Sequence, residues 1–149
     1  HDRLMALGAE VVLKTVKRIE SGNFETTAQT SNKALKLAHK IHKDTCKIDW
    51  SLPINTIYNF IRGLSPYPSA WTSLQIGDDS LMMKIYEVER VKEPHNLKTG
   101  DVVSDKKEMK VAVKDGYINL LEIQIQGKRR MAVKDVLNGL DLGENAQVS

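Results

Sequence analysis

The most informative part of this 149-residue chain is the stretch IDWSLPINTIYNFIRGLSPYPSAW, residues 48–71. Ser51 has a side chain that can accept a hydrogen bond from the first turn of a helix, and Pro53 is tolerated within that turn. Gly63 marks the helix end, since glycine readily adopts the left-handed conformation that follows a last helical turn. The stretch therefore predicts one short helix that begins near Ser51 and ends at Gly63.

One face of this helix is apolar, which predicts that the helix packs on a core. Its buried stripe is expected to consist of Ile54, Ile57, Tyr58 and Ile61. Pro66 and Pro68 then prevent the helix from continuing and favour extended backbone before each ring. The chain is therefore expected to turn sharply from a helix into strands.

Short alternating segments follow the second proline and predict strands. Gly77-Asp78-Asp79 is a hairpin signal, and Asp115-Gly116 is a favoured tight turn. Leu121, Ile123 and Ile125 alternate along one segment, so all three are expected on the buried face of a strand. The predicted strands cover residues 71–76, 81–91, 101–104, 110–113 and 117–125.

The end of the chain is expected to form one more helix, over residues 131–140. Val133, Val136 and Leu137 are predicted to face inward from it. The fold class is therefore mainly β with flanking helices, built on five or six short strands. A small antiparallel OB-like barrel is the economical arrangement, because closure of the sheet removes exposed strand edges.

Residues 3–20, ahead of residues 48–71, predict a further helix that ends at Ser21-Gly22-Asn23. Its apolar stripe consists of Met5, Ala9, Val12, Val16 and Ile19. The neighbouring sequence supplies no evident partner for this stripe. We expect the helix to pack on a second copy of the chain or to promote self-association.

Residues 23–47 are largely polar and are interpreted as a linker. Its lysines recur at spacings of three and four residues, at Lys33, Lys36, Lys40, Lys43 and Lys47. Like charges at those spacings repel one another on a helix. The linker is therefore expected to be mostly extended, preceding the barrel as a basic segment.

Composition is typical of a globular chain, with 41% hydrophobic and 28% charged residues. No apolar run approaches the roughly 20 residues that span a bilayer. The lone Cys46 excludes an internal disulfide and suits a reducing cytoplasm. His39 and His42 lack the i, i+4 spacing of a helical metal pair. The net charge is only +3, but cations gather in the linker and at residues 128–130, where they create local positive potentials.

A set of motifs, in this order along the chain, carries a family resemblance. They are His1-Asp2-Arg3-Leu4, Leu7-Gly8, Ile48-Asp49-Trp50, Ile61-Arg62-Gly63-Leu64, Pro66-Tyr67-Pro68, Ala70-Trp71, Lys110-Val111-Ala112-Val113 with Asp115-Gly116, and Gly127-Lys128-Arg129-Arg130-Met131. The set resembles the methionyl-tRNA formyltransferase family. The resemblance implies three parts: a terminal helix of a Rossmann-like catalytic domain (1–22), a basic linker (23–47) and a C-terminal OB-like tRNA-binding domain (48–149).

That family transfers a formyl group from 10-formyltetrahydrofolate to the methionine amino group of initiator methionyl-tRNA. The resemblance places the catalytic Asn, His and Asp and the folate loop upstream of His1. No catalytic, cofactor-binding or metal residue is therefore carried over, and the chain without its N-terminal catalytic domain is expected to be inactive. The related 10-formyltetrahydrofolate dehydrogenase and nucleotide-sugar formyltransferase share the module, so a docking or oligomerisation role without nucleic acid is the alternative.

Contact with the initiator tRNA is the family property that this chain can carry, because phosphates need spaced cations. The candidate tRNA-binding residues are Lys36, Lys40, Lys43, Lys47, Arg62, Lys128, Arg129 and Arg130. The alternative interpretation is an ordinary solvated surface, and Arg62 could equally be a structural pin at the helix end. Trp50 and Trp71 are expected to be buried anchors of the helix and barrel rather than base-stacking residues.

Overall fold

A computed structural model describes residues 2–28, 36–143 and 145–149 of the chain. The predicted linker residue Lys33 lies outside the described residues, as does the rest of the range 29–35. Contacts within the chain divide it into two compact units, His1–Ala38 and His39–Ser149.

The described residues of the first unit contain a single helix, α1 (Asp2–Glu20), which begins within one residue of its predicted start. The helix ends where expected, because Gly22 has a φ of 69° and the Asn23 N–H donates to the Arg18 carbonyl at 3.1 Å. None of its residues is buried. Four members of the predicted stripe are 45–64% exposed: Met5, Val12, Val16 and Ile19.

This exposed stripe leads to a prediction about self-association, since burying such a side chain is worth roughly 1.5–3 kcal/mol. Val12→Glu should shift the chain toward monomer in sedimentation experiments at high protein concentration. Leu7→Glu is the matched control, because Leu7 is also exposed but lies on the opposite side of the helix. A wild-type chain that is strictly monomeric at millimolar concentration would contradict the prediction.

The basic segment is less extended than predicted at its C-terminal end. Residues 36–42 form neither helix nor strand, in agreement with the expectation, but Asp44–Cys46 is a 3₁₀ turn. Cys46 is buried, and the indole Nε1–H of Trp71 donates to the Lys43 carbonyl at 2.8 Å. Lys47 forms a parallel bridge with Trp71. The segment therefore attaches to the barrel from about Lys43 onward.

The second helix, α2 (Ile54–Leu64), is capped differently from the prediction. Ser51 does not cap it. The Ser51 N–H and hydroxyl instead donate to the Asp49 carboxylate at 3.0 and 2.6 Å. The cap comes from Asp115, whose carboxylate accepts from the Ile54 N–H at 2.9 Å. The β-turn that contains Asp115 thereby holds the start of the helix against the barrel.

The end and the buried face of α2 are close to expectation, with two corrections. The helix runs one residue beyond Gly63, to Leu64. Ile54, Ile57 and Ile61 are fully buried as predicted. Tyr58 is only half-buried, because it lies at the edge of the stripe.

The described residues of the second unit form a seven-stranded antiparallel sheet. One hairpin turn falls at residues 77–78, within the predicted Gly77-Asp78-Asp79. The other falls at residues 114–115, one residue before the predicted Asp115-Gly116. The strands are β1 (Ala70–Ile76), β2 (Asp79–Val91), β3 (Val102–Ser104), β4 (Met109–Val113), β5 (Gly116–Ile125), β6 (Met131–Ala132) and β7 (Gln147–Val148). Along the sheet the order is β3-β4-β5-β2-β1-β7, and β6 pairs with β5.

Strand β7, which the sequence did not predict, brings the two edges of this sheet together. It pairs with β1 on one side, with Leu74 opposite Val148. On the other side the Val148 N–H donates to the Gly100 carbonyl at 2.8 Å, and the Val102 N–H donates to the Ala146 carbonyl at 3.0 Å. The result is a nearly closed antiparallel barrel, so the predicted OB-like fold class is confirmed.

Strand β5 departs from the predicted alternation. Ile123 and Ile125 are buried, but Leu121 is only half-buried. The register of β2 against β5 shifts on both sides of Glu87, which leaves Tyr86 and Leu121 without directly paired partners. Such a bulge moves the buried positions by one residue, so Leu120 takes the core position that Leu121 was expected to occupy.

The predicted final helix is shorter than expected. Residues 131 and 132 form β6, and helix α3 covers only Val133–Leu137. Val133 and Val136 are buried as predicted, whereas Leu137 is half-buried. No helix in the described ranges is both long and apolar enough to cross a bilayer.

Candidate nucleic-acid interface

Two of the predicted linker lysines are held over the ring of Trp71. The Nζ atoms of Lys43 and Lys47 lie 5.6 and 5.7 Å from the ring centroid. A cation at this distance is attracted by the negative face of the ring. Because the Lys43 carbonyl also accepts from the indole N–H, backbone and side chains fix both ammonium groups beside β1. Trp71 is half-buried, so the prediction of a buried anchor is confirmed only for Trp50, which is 5% exposed.

Strand register extends this basic position across the outer face of the sheet. Trp71 pairs with Lys84, and Lys84 pairs with Gln124. All three are partly exposed, while the residues on either side of each along its strand are buried. They therefore form one outward-facing row over three strands. Lys84 was missed by the sequence analysis, since only the pairing of β1 with β2 brings it next to the linker lysines.

Gln124 connects this row to the predicted cluster at residues 128–130. Its Nε2 donates to the Lys128 carbonyl at 2.9 Å, and its Oε1 accepts from the Tyr86 hydroxyl at 2.8 Å. The guanidinium carbon of Arg130 lies 4.2 Å from the centroid of the Tyr86 ring. Gln124 thus holds Lys128 by a hydrogen bond, and the Tyr86 ring to which Gln124 also bonds lies against Arg130.

Arg130 is also ion-paired with Glu122. The hydrogen bond from the guanidinium lowers the pKa of the Glu122 carboxyl, and the same bond raises the pKa of Arg130. Both groups therefore stay charged, and Glu122 offsets part of the positive potential of Arg130. Lys128 and Arg129 are exposed, and no ion pair involves them within the described part of the chain.

We call the resulting surface the strand-face strip. It consists of Lys43, Lys47, Trp71, Lys84, Tyr86, Gln124, Lys128, Arg129 and Arg130. Five of the eight predicted tRNA-binding residues lie in it. Lys36 and Lys40 are exposed in residues without helix or strand, and Lys36 belongs to the first unit, so neither is placed in the strip.

Arg62, the eighth predicted residue, lies on α2 outside the strip. Its Nη2 donates to the Asn59 side-chain oxygen at 3.3 Å, and its guanidinium carbon lies 6.0 Å from the Tyr58 ring centroid. It lines a surface cleft together with Tyr86 and Glu87. Tyr86 therefore links Arg62 to the strip.

His95 has a structural role in the loop after β2. His95 Nε2 lies 2.9 Å from the carbonyl oxygens of both Val113 and Gly116, and its Nδ1 accepts from the Leu97 N–H at 3.1 Å. Both ring nitrogens are thus used to hold the loop after β2. Within the described ranges, no group of three or more His, Cys, Asp or Glu residues could hold a metal ion.

Comparison with known proteins supplies the family. The family described as formyl transferase, C-terminal domain, matches residues 40–141. The chain belongs to this family. In curated relatives this formyl transferase C-terminal domain is part of a longer protein, and the chain spans about half of their length.

The chain is 47% identical over 148 residues to a methionyl-tRNA formyltransferase of Flavobacterium johnsoniae, covering 99% of this chain and 47% of that protein. It is 46% identical over 154 residues to one of Phocaeicola vulgatus, covering 99% of this chain and 48% of the relative. A crystal structure of a HypX variant from Aquifex aeolicus aligns with a TM-score of 0.59 and 16% identity, over 89% of this chain and 24% of that one. This last likeness supports the barrel fold alone.

The family match includes most of the candidate residues. Its first residue is Lys40, so the segment held by Trp71 and the entire strand-face strip belong to the formyl transferase C-terminal domain. Helix α1 and Lys36 precede the matched range. The resemblance inferred from the ordered motifs is therefore confirmed for the barrel.

Proposed function

We propose that this chain is the tRNA-binding C-terminal part of a methionyl-tRNA formyltransferase. The complete enzyme would transfer a formyl group from 10-formyltetrahydrofolate to the methionine amino group of initiator methionyl-tRNA in the cytoplasm. The observation that carries the proposal is the identity of 42–47% to proteins named methionyl-tRNA formyltransferase, over nearly the whole chain. The formyl donor and the catalytic groups would belong to an N-terminal domain.

The strand-face strip supports a role in binding the tRNA backbone. Its cations come from three separate segments, around residues 43–47, at residue 84 and at residues 128–130, and the sheet spaces them along one face. Phosphate groups of a nucleic acid are bound by cations spaced in this way, and each contact releases condensed counterions. Such contacts position a tRNA without reading its sequence, so discrimination of initiator tRNA would be assigned to other groups.

The proposal predicts salt-dependent binding that two charge reversals weaken. Lys43→Glu and Arg129→Glu should each lower the affinity for tRNA and reduce the slope of log affinity against log salt by about 1. The loss should be similar for initiator and elongator tRNAs, because backbone contacts do not read bases. Titrations of labelled tRNA at a series of salt concentrations measure both quantities.

Asp79→Lys serves as the control for these titrations. Asp79 pairs with Ile76 beside the first hairpin turn, five residues along β2 from Lys84 and therefore about 17 Å away. Its replacement should leave the salt slope unchanged. Weak binding by the wild-type chain that does not saturate would instead favour a docking or oligomerisation module of a related formyltransferase. Equal slopes for wild type and both reversals would show that these residues are ordinary solvated surface.

A further inference from the structure

The exposed face of α2 carries a row of hydrogen-bonding side chains that the strand-face strip does not include. Asn55, Tyr58, Asn59 and Arg62 recur at the i, i+3, i+4 and i+7 positions of one helical face. The two asparagines and Arg62 are exposed, and Tyr58 is half-buried beneath them. The opposite face of the helix is the apolar stripe in the core.

Arg90 of β2 lies against this face. Its guanidinium carbon is 4.3 Å from the centroid of the Tyr58 ring, and its Nη1 donates to the Asn55 side-chain oxygen at 2.7 Å. Arg62 has the same two kinds of partner at longer distances, 3.3 Å to the Asn59 side-chain oxygen and 6.0 Å to the same ring. Both guanidinium carbons therefore lie near one aromatic ring and within about 10 Å of each other. Each keeps most of its five N–H donors for an external acceptor.

The charge of these two arginines is not neutralised by an ion pair. Among the described residues, no carboxylate oxygen lies within 4.0 Å of a guanidinium nitrogen of Arg62 or Arg90. Glu87 lines the cleft beside Arg62 but makes no such pair. Both asparagines accept from the arginines through Oδ1, so their N–H₂ groups remain as donors. The face presents positive charge together with an excess of donors.

We propose that this surface, the α2 arginine face (Asn55, Asn59, Arg62 and Arg90), binds two phosphates of an RNA backbone. The inference rests on the proposed function and adds a second contact to it. A planar guanidinium donates two parallel hydrogen bonds to phosphate, and prior fixation by an amide and a ring reduces the entropy lost on binding. Because Arg90 already lies against the Tyr58 ring, the proposed contact uses the guanidinium groups rather than base stacking and is independent of sequence.

The α2 arginine face continues directly into the strand-face strip. Tyr86 also lines the cleft beside Arg62, and the guanidinium group of Arg130 lies against the Tyr86 ring. A single RNA molecule could therefore follow the sheet from Lys43 and Lys84 past Tyr86 to α2. This continuity favours the backbone of a folded RNA over a short acidic peptide, because both surfaces would be occupied at once.

The test is a set of tRNA titrations with single variants of the chain. Arg90→Gln and Arg62→Gln should each weaken binding three- to tenfold at low salt and reduce the salt slope by about 1. Asn55→Ala should weaken binding two- to threefold although it removes no charge, because Arg90 loses its anchor. Lys98→Gln is the matched control, since it also removes one positive charge. Lys98 lies where the sheet edges β3 and β7 meet, on the far side of the barrel from β2.

A further variant separates binding from folding. Arg90→Lys keeps the charge and a cation beside Tyr58, so it should restore the salt slope but only part of the affinity. Circular dichroism melts establish that each variant is folded. If Arg90→Gln binds tRNA like Lys98→Gln, the inference is overturned while the proposed function stands. If the wild-type chain shows no saturable tRNA binding, both fall together.

Discussion

Replacement of Gly116 by alanine should destabilise the barrel by about 3 kcal/mol or more, the sum of backbone strain and steric overlap. A Cβ atom at Gly116 would lie 2.2 Å from the Val91 carbonyl oxygen, and the glycine has a φ of 142°, which side-chain-bearing residues rarely adopt. Gly116 opens β5 at the point where it crosses the end of β2. The clash would therefore separate the two strands that share the most extensive pairing of the barrel.

Urea unfolding followed by tryptophan fluorescence measures this effect, because Trp50 lies in the core. Gly77→Ala is the control for strain alone: its φ is 56° but no atom lies within 4 Å of the added Cβ, so a loss of about 1 kcal/mol is expected. Gly139→Ala, in open space and without a positive φ, should change stability by less than about 0.5 kcal/mol. Equal losses for Gly116→Ala and Gly77→Ala would contradict the close approach to Val91.

Trp71→Ala should detach the end of the basic segment from the barrel. The indole hydrogen bond to Lys43 contributes about 1 kcal/mol, and the attraction of the ring for each of Lys43 and Lys47 adds about 0.5–1 kcal/mol. Without them the two lysines lose their fixed position beside Lys84. We expect the tRNA affinity to fall about tenfold, and trypsin to cleave after Lys43 and Lys47 much faster.

Two further variants show which feature of Trp71 is responsible. Trp71→Phe retains a ring but no N–H donor, so it should give an intermediate cleavage rate and affinity. Tyr67→Ala is the control for loss of an aromatic side chain in the same region, because Tyr67 is 89% exposed. If Trp71→Ala leaves the tryptic pattern and the affinity unchanged, the ring does not hold the lysines.

The elements that the sequence predicted well are those whose signals are local. Helix α1 is predicted nearly to its first residue, because the apolar stripe and the glycine stop are close neighbours in the chain. The same holds for the hairpin turns, at residues 77–78 and 114–115, which are predicted to within one residue. The ordered motifs around Trp50 and Trp71 also identified the family correctly, because each motif consists of neighbouring residues and does not depend on strand pairing.

The residue that caps α2 could not be predicted from the neighbouring sequence. Ser51 has the right chemistry at the right distance from the helix, but its hydroxyl is used by Asp49. The carboxylate that accepts from the helix start belongs to Asp115, 61 residues away. A favoured local interaction was replaced by one that also ties the helix to the barrel.

Residue types along the chain were enough to predict α1, the position of α2, the hairpin turns to within one residue, the mainly β class and the family. Each of these follows from residues within a few positions of one another. Tertiary pairing alone sets the bulge around Glu87, the strand β7 that brings the sheet edges together, and the surfaces built from Lys84 and Arg90. These features depend on which residues of distant strands pair, and a shift of one residue exchanges the inner and outer faces. Most of the candidate cations could be recognised from the sequence, but the register of strand pairing determines which of them lie beside one another.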